Sequence, residues 1–191
     1  MSDELKVLGV AGSLRRGSFN AAALRAAGEL LPAGMTLEIF DLAPIPLYNA
    51  DVDAAGQPES VIRLKQAIGA ADAILIATPE YNYSVSGVLK NAIDWASRPP
   101  AKTPFHARPV AIMGASSGLF GTVRAQVHLR QILQSNNALV MPKPEVHITQ
   151  AAGKFDDAGR LADETTRAHI TKFLAALAEW ARRHRTERAA P

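Results

Sequence analysis

Five short runs of apolar residues recur along the chain, and longer segments of mixed polarity separate them. Such runs are typical of β-strands, and the third and fourth are continuously apolar, as in strands that are covered on both faces. The predicted strands are KVLGVAG (6–12), LEIFDL (37–42), AILIAT (73–78), VAIMGA (110–115) and ALVMPKPEV (138–146).

The segments between the runs carry apolar residues about 3.6 positions apart, which predicts amphipathic helices. Three such faces are Ala23, Leu24, Ala27, Leu30 and Leu31, then Leu89, Ala92, Ile93 and Ala96, and finally Ile170, Phe173, Leu174, Leu177, Ala178 and Ala181. Strands that alternate with helices predict an α/β fold, in which a parallel sheet has right-handed crossovers and helices on both faces.

Ligands of such folds bind beyond the carboxyl ends of the strands, so the segments after strands one, three and four are the candidate site. These segments, GSLRRGSFN, PEYNYSVSG and SSGLFG, concentrate glycine, serine and asparagine. Two long proline-containing connections, 43–60 and 97–109, either shape a substrate mouth or subunit contact or are irregular surface loops.

Composition narrows the class of protein. A chain of 191 residues that is 48% hydrophobic suits one globular domain, predicted over 1–185, and the basic C-terminal end predicts a flexible tail over 186–191. The absence of cysteine excludes disulfides and thiolate metal sites and suits a reducing cytoplasm, where we expect the protein. No signal-peptide pattern or membrane-spanning run is present, and a net charge of +3 gives little support for nucleic-acid binding.

The first candidate loop, GVAGSLRRGSFN (9–20), fits neither of two familiar nucleotide motifs. It lacks the Gly-Lys-Ser/Thr of a Walker A loop, and its glycines do not have the Gly-x-Gly-x-x-Gly spacing. A strand that runs into a helix N-terminus nevertheless attracts anions, such as a terminal monophosphate. Ser13, Ser18 and Asn20 would add neutral hydrogen bonds and Arg15 a charge-assisted one.

An alternative for this loop stays open. Ser18 is also a typical helix N-cap, and Gly12 and Gly17 also suit ordinary turns. Arg16 is expected to point to solvent.

In the second loop, Pro79 removes a backbone donor and ends the third strand at a defined point. The residues that follow offer backbone N–H groups, an amide and two aromatic rings, which suit the wall of a planar heterocycle; they are Glu80, Tyr81, Asn82 and Tyr83. Taken singly, each is better explained as a turn or packing residue.

Together, GSLRRGSFN, TPEYNYSVSGVLKNAIDW and GASSGLFGTVRAQVHLRQIL resemble the NADPH-dependent FMN reductase family, and in particular its quinone and chromate reductase branch. The resemblance covers about residues 5–146. It implies a flavodoxin-like doubly wound fold with a five-stranded parallel sheet in the order 2-1-3-4-5. It also implies FMN as cofactor, NADPH or NADH as hydride donor, and a homodimer or homotetramer.

The resemblance also assigns residues to the cofactor. Ser13, Arg15, Ser18 and Asn20 would bind the FMN phosphate, with the backbone of Leu14, Arg16, Gly17 and Phe19. Pro79, Glu80, Tyr81, Asn82 and Tyr83 would line the isoalloxazine ring. Ser116, Ser117 and Gly118, expected at the start of the fourth helix, would close its pyrimidine side and stabilise negative charge there.

The implied reaction is a ping-pong transfer of two electrons from the nicotinamide through FMN to quinones, flavins, azo or nitro compounds, or chromate-like oxyanions. No catalytic side chain is predicted, because the chemistry belongs to the flavin. No metal is predicted either, since the five histidines lack metal-ligand spacing; they are His106, His128, His147, His169 and His184. Asp94 and Glu145 are expected to be ion-pair or interface residues, with Arg124 and Arg130 as candidate ion-pair partners.

Two other classes compete with an enzyme. A flavodoxin-like electron carrier would bind FMN without nicotinamide turnover, although the basic charge and the long loops favour a reductase. A phosphoacceptor receiver needs acidic residues at the ends of strands one and three, where Gly12-Ser13 and Thr78-Pro79 stand instead. A binder of another nucleotide stays open, because a fold does not fix a function.

Overall fold

A parallel sheet of six strands forms the centre of a computed structural model that describes residues 4–184. The predicted tail over 186–191 lies outside these residues. The strands are β1 (Leu5–Ala11), β2 (Met35–Phe40), β3 (Ala73–Ala77), β4 (Pro109–Ala115), β5 (Leu139–Val140) and β6 (Val146–Ile148).

The strand order is β2-β1-β3-β4-β5, and β6 also pairs with β4. The predicted order 2-1-3-4-5 is therefore confirmed. Every pair is parallel, with Gly9 of β1 opposite both Ile39 of β2 and Leu75 of β3. The carboxyl ends of β1, β3 and β4 consequently meet at one edge of the sheet.

The fifth predicted strand, 138–146, is divided in the structure. Its first part, β5, pairs with Pro109 and Val110 at the start of β4, and β6 pairs with Met113–Ala115 at the end of β4. Between them the chain contains Pro142 and Pro144, which have no N–H group to donate to a strand ladder. The apolar pattern alone did not reveal this interruption.

Helices cover both faces of the sheet, as predicted. Their bounds are α1 (Phe19–Glu29), α2 (Ala50–Ala55), α3 (Glu59–Ala70), α4 (Gly87–Ala96), α5 (Val123–Gln134) and α6 (Glu164–Arg183). Helices α1 and α6 pack on one face, and α3, α4 and α5 pack on the other. Each face has its own apolar core, and β3 and β4 are buried along their whole length.

The long connections are more ordered than an irregular loop would be. The connection 43–60 contains α2 and packs on α4, where Trp95 is fully buried and donates its indole N–H to the carbonyl oxygen of Pro46 at 2.8 Å. Tyr48 meets the Trp95 ring edge to face, with centroids 4.9 Å apart. The connection 97–109 contains a 3₁₀ turn and buries Phe105 in the core.

Candidate functional site

The three candidate loops surround one cavity of about 230 Å³ beyond the carboxyl ends of β1, β3 and β4. The cavity is lined by Ser13, Arg15, Ser18, Phe19, Asn20, Pro79, Glu80, Tyr81, Ala115, Ser116 and Ser117. All but one of these were predicted from the sequence. The exception is Ala115, the last residue of β4, whose apolar side chain gave no signal.

The remaining predicted residues lie outside this cavity. Asn82 and Tyr83 line a neighbouring cleft of about 450 Å³ together with Glu80, so the two spaces adjoin at Glu80. Leu14, Arg16, Gly17 and Gly118 are exposed and contribute no lining side chain.

The first loop presents a row of free backbone donors at the N-terminus of α1. Within residues 4–184, the N–H groups of Ser13 through Gly17 donate to no protein acceptor. Arg15 lies beside them and forms no ion pair in this part of the chain; its guanidinium carbon is 5.6 Å from the centre of the Phe19 ring. Unpaired N–H groups, a helix N-terminus and a cation together favour an anion.

Ser18 is the N-cap of α1, as the alternative interpretation expected. Its hydroxyl oxygen accepts a hydrogen bond from the N–H of Ala21 at 3.2 Å, and the residue is buried. Because this bond uses only an oxygen lone pair, the hydroxyl hydrogen remains available to donate into the cavity. The cap and the ligand contact are therefore compatible.

Gly12 allows the first loop to approach the second. A Cβ atom at this position would lie 2.9 Å from Pro79 Cδ and 3.2 Å from Ser86 Oγ. The Ser86 hydroxyl also donates to the Gly12 carbonyl oxygen at 2.6 Å. A side chain here would therefore force Pro79 to shift.

The second loop is a tight turn that closes on itself. The N–H of Tyr81 donates to the carbonyl oxygen of Ser84, and the N–H of Ser84 donates to the carbonyl oxygen of Tyr81, both at 3.0 Å. The two central residues, Asn82 and Tyr83, have φ angles of 50° and 66°, as in a type I′ turn. Asn adopts this region readily, whereas Tyr does so only where other contacts hold it.

The carboxylate of Glu80 is directed at the start of α5. It accepts hydrogen bonds from Arg124 Nη1 at 2.7 Å, from the backbone N–H of Arg124 at 3.0 Å and from that of Ala125 at 3.3 Å. Burial acts to raise the pKa of Glu80, but these hydrogen bonds together outweigh it and hold the pKa below its usual value. Glu80 is therefore an anion that caps a helix.

Arg124 was expected to pair with Asp94 or Glu145, and that expectation was wrong. Its guanidinium pairs with Glu80 and lies between the rings of Tyr83 and Phe120, 4.2 Å from each centroid. Glu80 and Arg124 are 44 positions apart in the sequence, so the spacing of charged residues along the chain does not reveal this pair. The group of Glu80, Tyr83, Phe120 and Arg124 is called the arginine stack below.

The other predicted ion pairs are partly as expected. Glu145 lies 3.7 Å from Arg130, and it also pairs with Lys143 at 2.8 Å. Asp94 instead pairs with Lys90 at 2.8 Å, one helical turn earlier in α4.

In the third loop, the N–H of Ser116 donates to the Ile148 carbonyl at 3.0 Å, so this donor is not available to a ligand. The N–H groups of Ser117 and Gly118 have no protein acceptor within residues 4–184. The expected position at a helix start was wrong, because α5 begins only at Val123. These two donors therefore belong to a bend in the loop and lie outside the helix.

Asn20 lines the cavity, but its side chain forms hydrogen bonds with the protein backbone. Its amide nitrogen donates to the Ala115 carbonyl at 3.0 Å, and its amide oxygen accepts from the Ala115 N–H at 2.9 Å. The predicted phosphate contact would depend on the single amide hydrogen that remains.

Among residues 4–184, no group of three or more histidine or acidic side chains could hold a metal ion. Over the same residues, no helix is both long and apolar enough to cross a membrane.

Comparison with known proteins gives consistent matches. The chain is 57% identical to an NAD(P)H-dependent FMN reductase of Pseudomonas aeruginosa, over 97% of this chain and 100% of that protein. It is 45% identical to a quinone reductase of Escherichia coli strain K12, over 96% and 98% of the two chains. The structure of FerB, a flavoenzyme NAD(P)H:(acceptor) oxidoreductase from Paracoccus denitrificans, superposes with a TM-score of 0.87. Its sequence is 35% identical, and the match covers 94% of this chain and 98% of that one.

The model of one protein family, described as NADPH-dependent FMN reductase, matches residues 5–153. This range contains all three loops around the cavity. The chain therefore belongs to the NADPH-dependent FMN reductase family.

Proposed function

We propose that the protein is an FMN-dependent NAD(P)H oxidoreductase of the quinone reductase type. The observation that carries this proposal is the row of free N–H groups from Ser13 to Gly17, in a loop whose residues Ser13 and Arg15 line the cavity. Such donors suit the phosphate of a mononucleotide. The relatives named above support the assignment of FMN and of a nicotinamide nucleotide as reductant.

The residues present fit an FMN molecule. The free donors of the first loop, the Ser18 hydroxyl and the Arg15 guanidinium would hold its phosphate. Pro79 and Tyr81 would flank the isoalloxazine ring, which would extend past Glu80 into the cleft lined by Asn82 and Tyr83. The carboxylate of Glu80 is hydrogen-bonded to residues at the start of α5, so we assign only the backbone of Glu80 to a contact with the isoalloxazine ring.

FMN, when bound, supplies the redox chemistry: it takes two electrons from a nicotinamide nucleotide and passes them to an acceptor. The protein's task is to orient the ring, leave one face accessible and stabilise the charge that reduction creates. We assign the last role to the backbone N–H groups of Ser117 and Gly118, which are free of protein acceptors in the described part of the chain.

The proposed substrates are NADPH or NADH and a small-molecule acceptor, with quinones favoured by the relatives; flavins, azo or nitro compounds and chromate-like oxyanions are further candidates. In the overall reaction NAD(P)H loses two electrons and one proton. The quinone gains two electrons and two protons, the second proton coming from water.

We also propose that the protein is a homodimer or homotetramer. Several large apolar side chains are exposed on loops, including Leu47, which is 85% exposed, and Leu119, which is 72% exposed. Exposed apolar side chains favour a protein contact where they form one contiguous patch, and self-association would bury these. Sedimentation velocity at assay concentration tests this, and a species of monomer mass alone would contradict it.

The visible spectrum of the purified protein tests the proposed cofactor. We expect a flavin absorption band whose chromophore is released by heat and identified as FMN. Steady oxidation of NADPH in the presence of a quinone then distinguishes a reductase from an electron carrier. A colourless protein that FMN titration does not convert would contradict the proposal.

A further inference from the structure

Three side chains connect the candidate loops to one another. The first is Asn20, in the first turn of α1. Its side chain donates one hydrogen bond to the backbone of Ala115, at the end of β4, and accepts another from it. Asn20 is only 4% exposed, and 95 residues separate it from Ala115. It therefore ties the first loop to the beginning of the third.

The second connection joins the first loop to the second. Ser86, the N-cap of α4, donates its hydroxyl hydrogen to the Gly12 carbonyl at 2.6 Å and accepts from the Leu89 N–H at 3.2 Å. Ser86 is 1% exposed. The same contact brings Gly12 against Pro79, the first residue of the second loop.

The third connection joins the second loop to the start of α5, the helix that follows the third loop. Glu80 accepts from the side chain and backbone of Arg124 and from the backbone of Ala125, at the start of α5. The side chain of Glu80 is 12% exposed. With this bond the first and second loops are connected to each other and to the two elements that flank the third loop, β4 and α5.

We propose that Asn20, Ser86 and Glu80 are positioning residues that close a ring of hydrogen bonds around the cavity and preorganise it for the flavin. This proposal rests on the proposed function, because it concerns how that site binds its cofactor. Asn20 and Glu80 then act through the backbone they hold rather than through contacts with the phosphate or the isoalloxazine ring. The hydrogen bonds made by Asn20, Ser86 and Glu80 are together called the loop ring below.

A physical requirement explains such an arrangement. The donors assigned to the cofactor are mostly backbone N–H groups, and these cannot adjust as a side chain would. Their directions are set by the loops, so affinity depends on holding the loops before the ligand arrives. Buried hydrogen bonds between side chains and backbone are suited to this, because breaking one leaves a polar group without a partner.

The test compares FMN with riboflavin, which has the same ring and no phosphate. If Asn20 positions both the first and the third loop, Asn20→Ala weakens riboflavin as well as FMN, each by about tenfold or more, because the third loop is assigned to the ring that both flavins share. Arg15→Ala is the matched control, since loss of a phosphate contact weakens FMN and leaves riboflavin unchanged. Fluorescence titration of the protein freed of its flavin measures both dissociation constants. If Asn20→Ala left riboflavin binding unchanged, Asn20 would not position the third loop and the proposal would be wrong.

Hydrogen exchange on the flavin-free protein gives an independent result. We expect Asn20→Ala to increase amide exchange in the segments around Ser18 and Ser116, and Glu80→Gln to increase it in those around Tyr81 and Arg124, because these four N–H groups are hydrogen-bonded within the protein. Glu80→Gln preserves side-chain volume, so it still tests the loop ring if the Asn20→Ala protein does not fold. Unchanged exchange in these segments would overturn the loop ring. If the wild type binds neither flavin, the proposed function fails, whereas the exchange result still decides the loop ring.

Discussion

The carboxylate of Glu80 and the guanidinium of Arg124 lie 2.7 Å apart, although 44 residues separate them in the chain. The same carboxylate accepts from two backbone N–H groups at the start of α5. It therefore combines an ion pair with a helix cap, where a negative charge is favourable. This combination makes the charge of Glu80 a measurable part of the protein's stability.

Replacing Glu80 by glutamine should lower the free energy of unfolding by about 1 kcal/mol at neutral pH. The pKa of Glu80 in the folded protein lies below its usual value of 4.5. Its stabilising contribution is therefore complete above that value and is lost as the pH falls through the lower, folded pKa. The difference between wild type and Glu80→Gln should accordingly shrink in urea unfolding measured from about pH 7 to about pH 3.

Glu59→Gln is the matched control for this prediction. Glu59 also pairs with an arginine, Arg63, at 2.9 Å, but its side chain is 81% exposed. Exposed pairs contribute little, so we expect almost no change. A pH-independent difference between wild type and Glu80→Gln would contradict the role of the charge.

Arg15 and Arg16 are adjacent in sequence but differ in their relation to the cavity, which only Arg15 lines. Arg15→Ala should weaken FMN binding by about 10- to 100-fold through the loss of a charge-assisted hydrogen bond. Arg16→Ala should change it little. Titration of the flavin-free variants measures both, and equal losses would contradict the assignment of Arg15 to the phosphate.

Gly12→Ala should destabilise the protein by about 1–3 kcal/mol, because the new methyl group would overlap with Pro79 and crowd Ser86. It should also weaken flavin binding, since it separates the first and second loops. Gly69→Ala is the control, as its Cβ would meet no atom within 4 Å and it lies within α3. That change should stabilise the protein by about 0.5–1 kcal/mol. A Gly12→Ala protein as stable as wild type would show that the loops do not need this close approach.

Most of the fold could be predicted from the sequence because buried positions are apolar and recur with the spacing of the strand or helix that contains them. The strands β3 and β4 are buried on both faces and are apolar throughout, and the predicted faces of α4 and α6 are buried. Parallel topology then places the three loops at one edge of the sheet, whatever their side chains. The cavity could therefore be located before any contact was known.

The contacts within the cavity could not be predicted in the same way. Asn20 and Glu80 were assigned to the cofactor, yet each is bonded to a backbone segment far away in the chain. Gly114 illustrates the same limit, since a Cβ there would overlap with the hydroxyl of Thr122, a buried residue with a φ of 69°. Such partners depend on how crossovers bring separate segments together, and periodicity does not encode this.

Tyr83 contributes to the arginine stack through its ring rather than its hydroxyl. It holds a φ of 66° and places its ring 4.2 Å from the guanidinium carbon of Arg124, which Glu80 fixes from another side. Tyr83→Phe should therefore retain the stability of the wild type, whereas Tyr83→Leu should lose a cation–π interaction of about 0.5–1 kcal/mol.

A double-mutant cycle of Tyr83→Leu with Arg124→Met, followed by urea unfolding, isolates this interaction from other effects of each change. The expected coupling energy is about 0.5–1 kcal/mol, and a parallel cycle with Tyr83→Phe should give a coupling near zero, because the aromatic face remains. Equal losses for Tyr83→Phe and Tyr83→Leu would instead show that the hydroxyl carries the contact. A vanishing coupling for Tyr83→Leu would show that the ring and the guanidinium are neighbours without a measurable attraction.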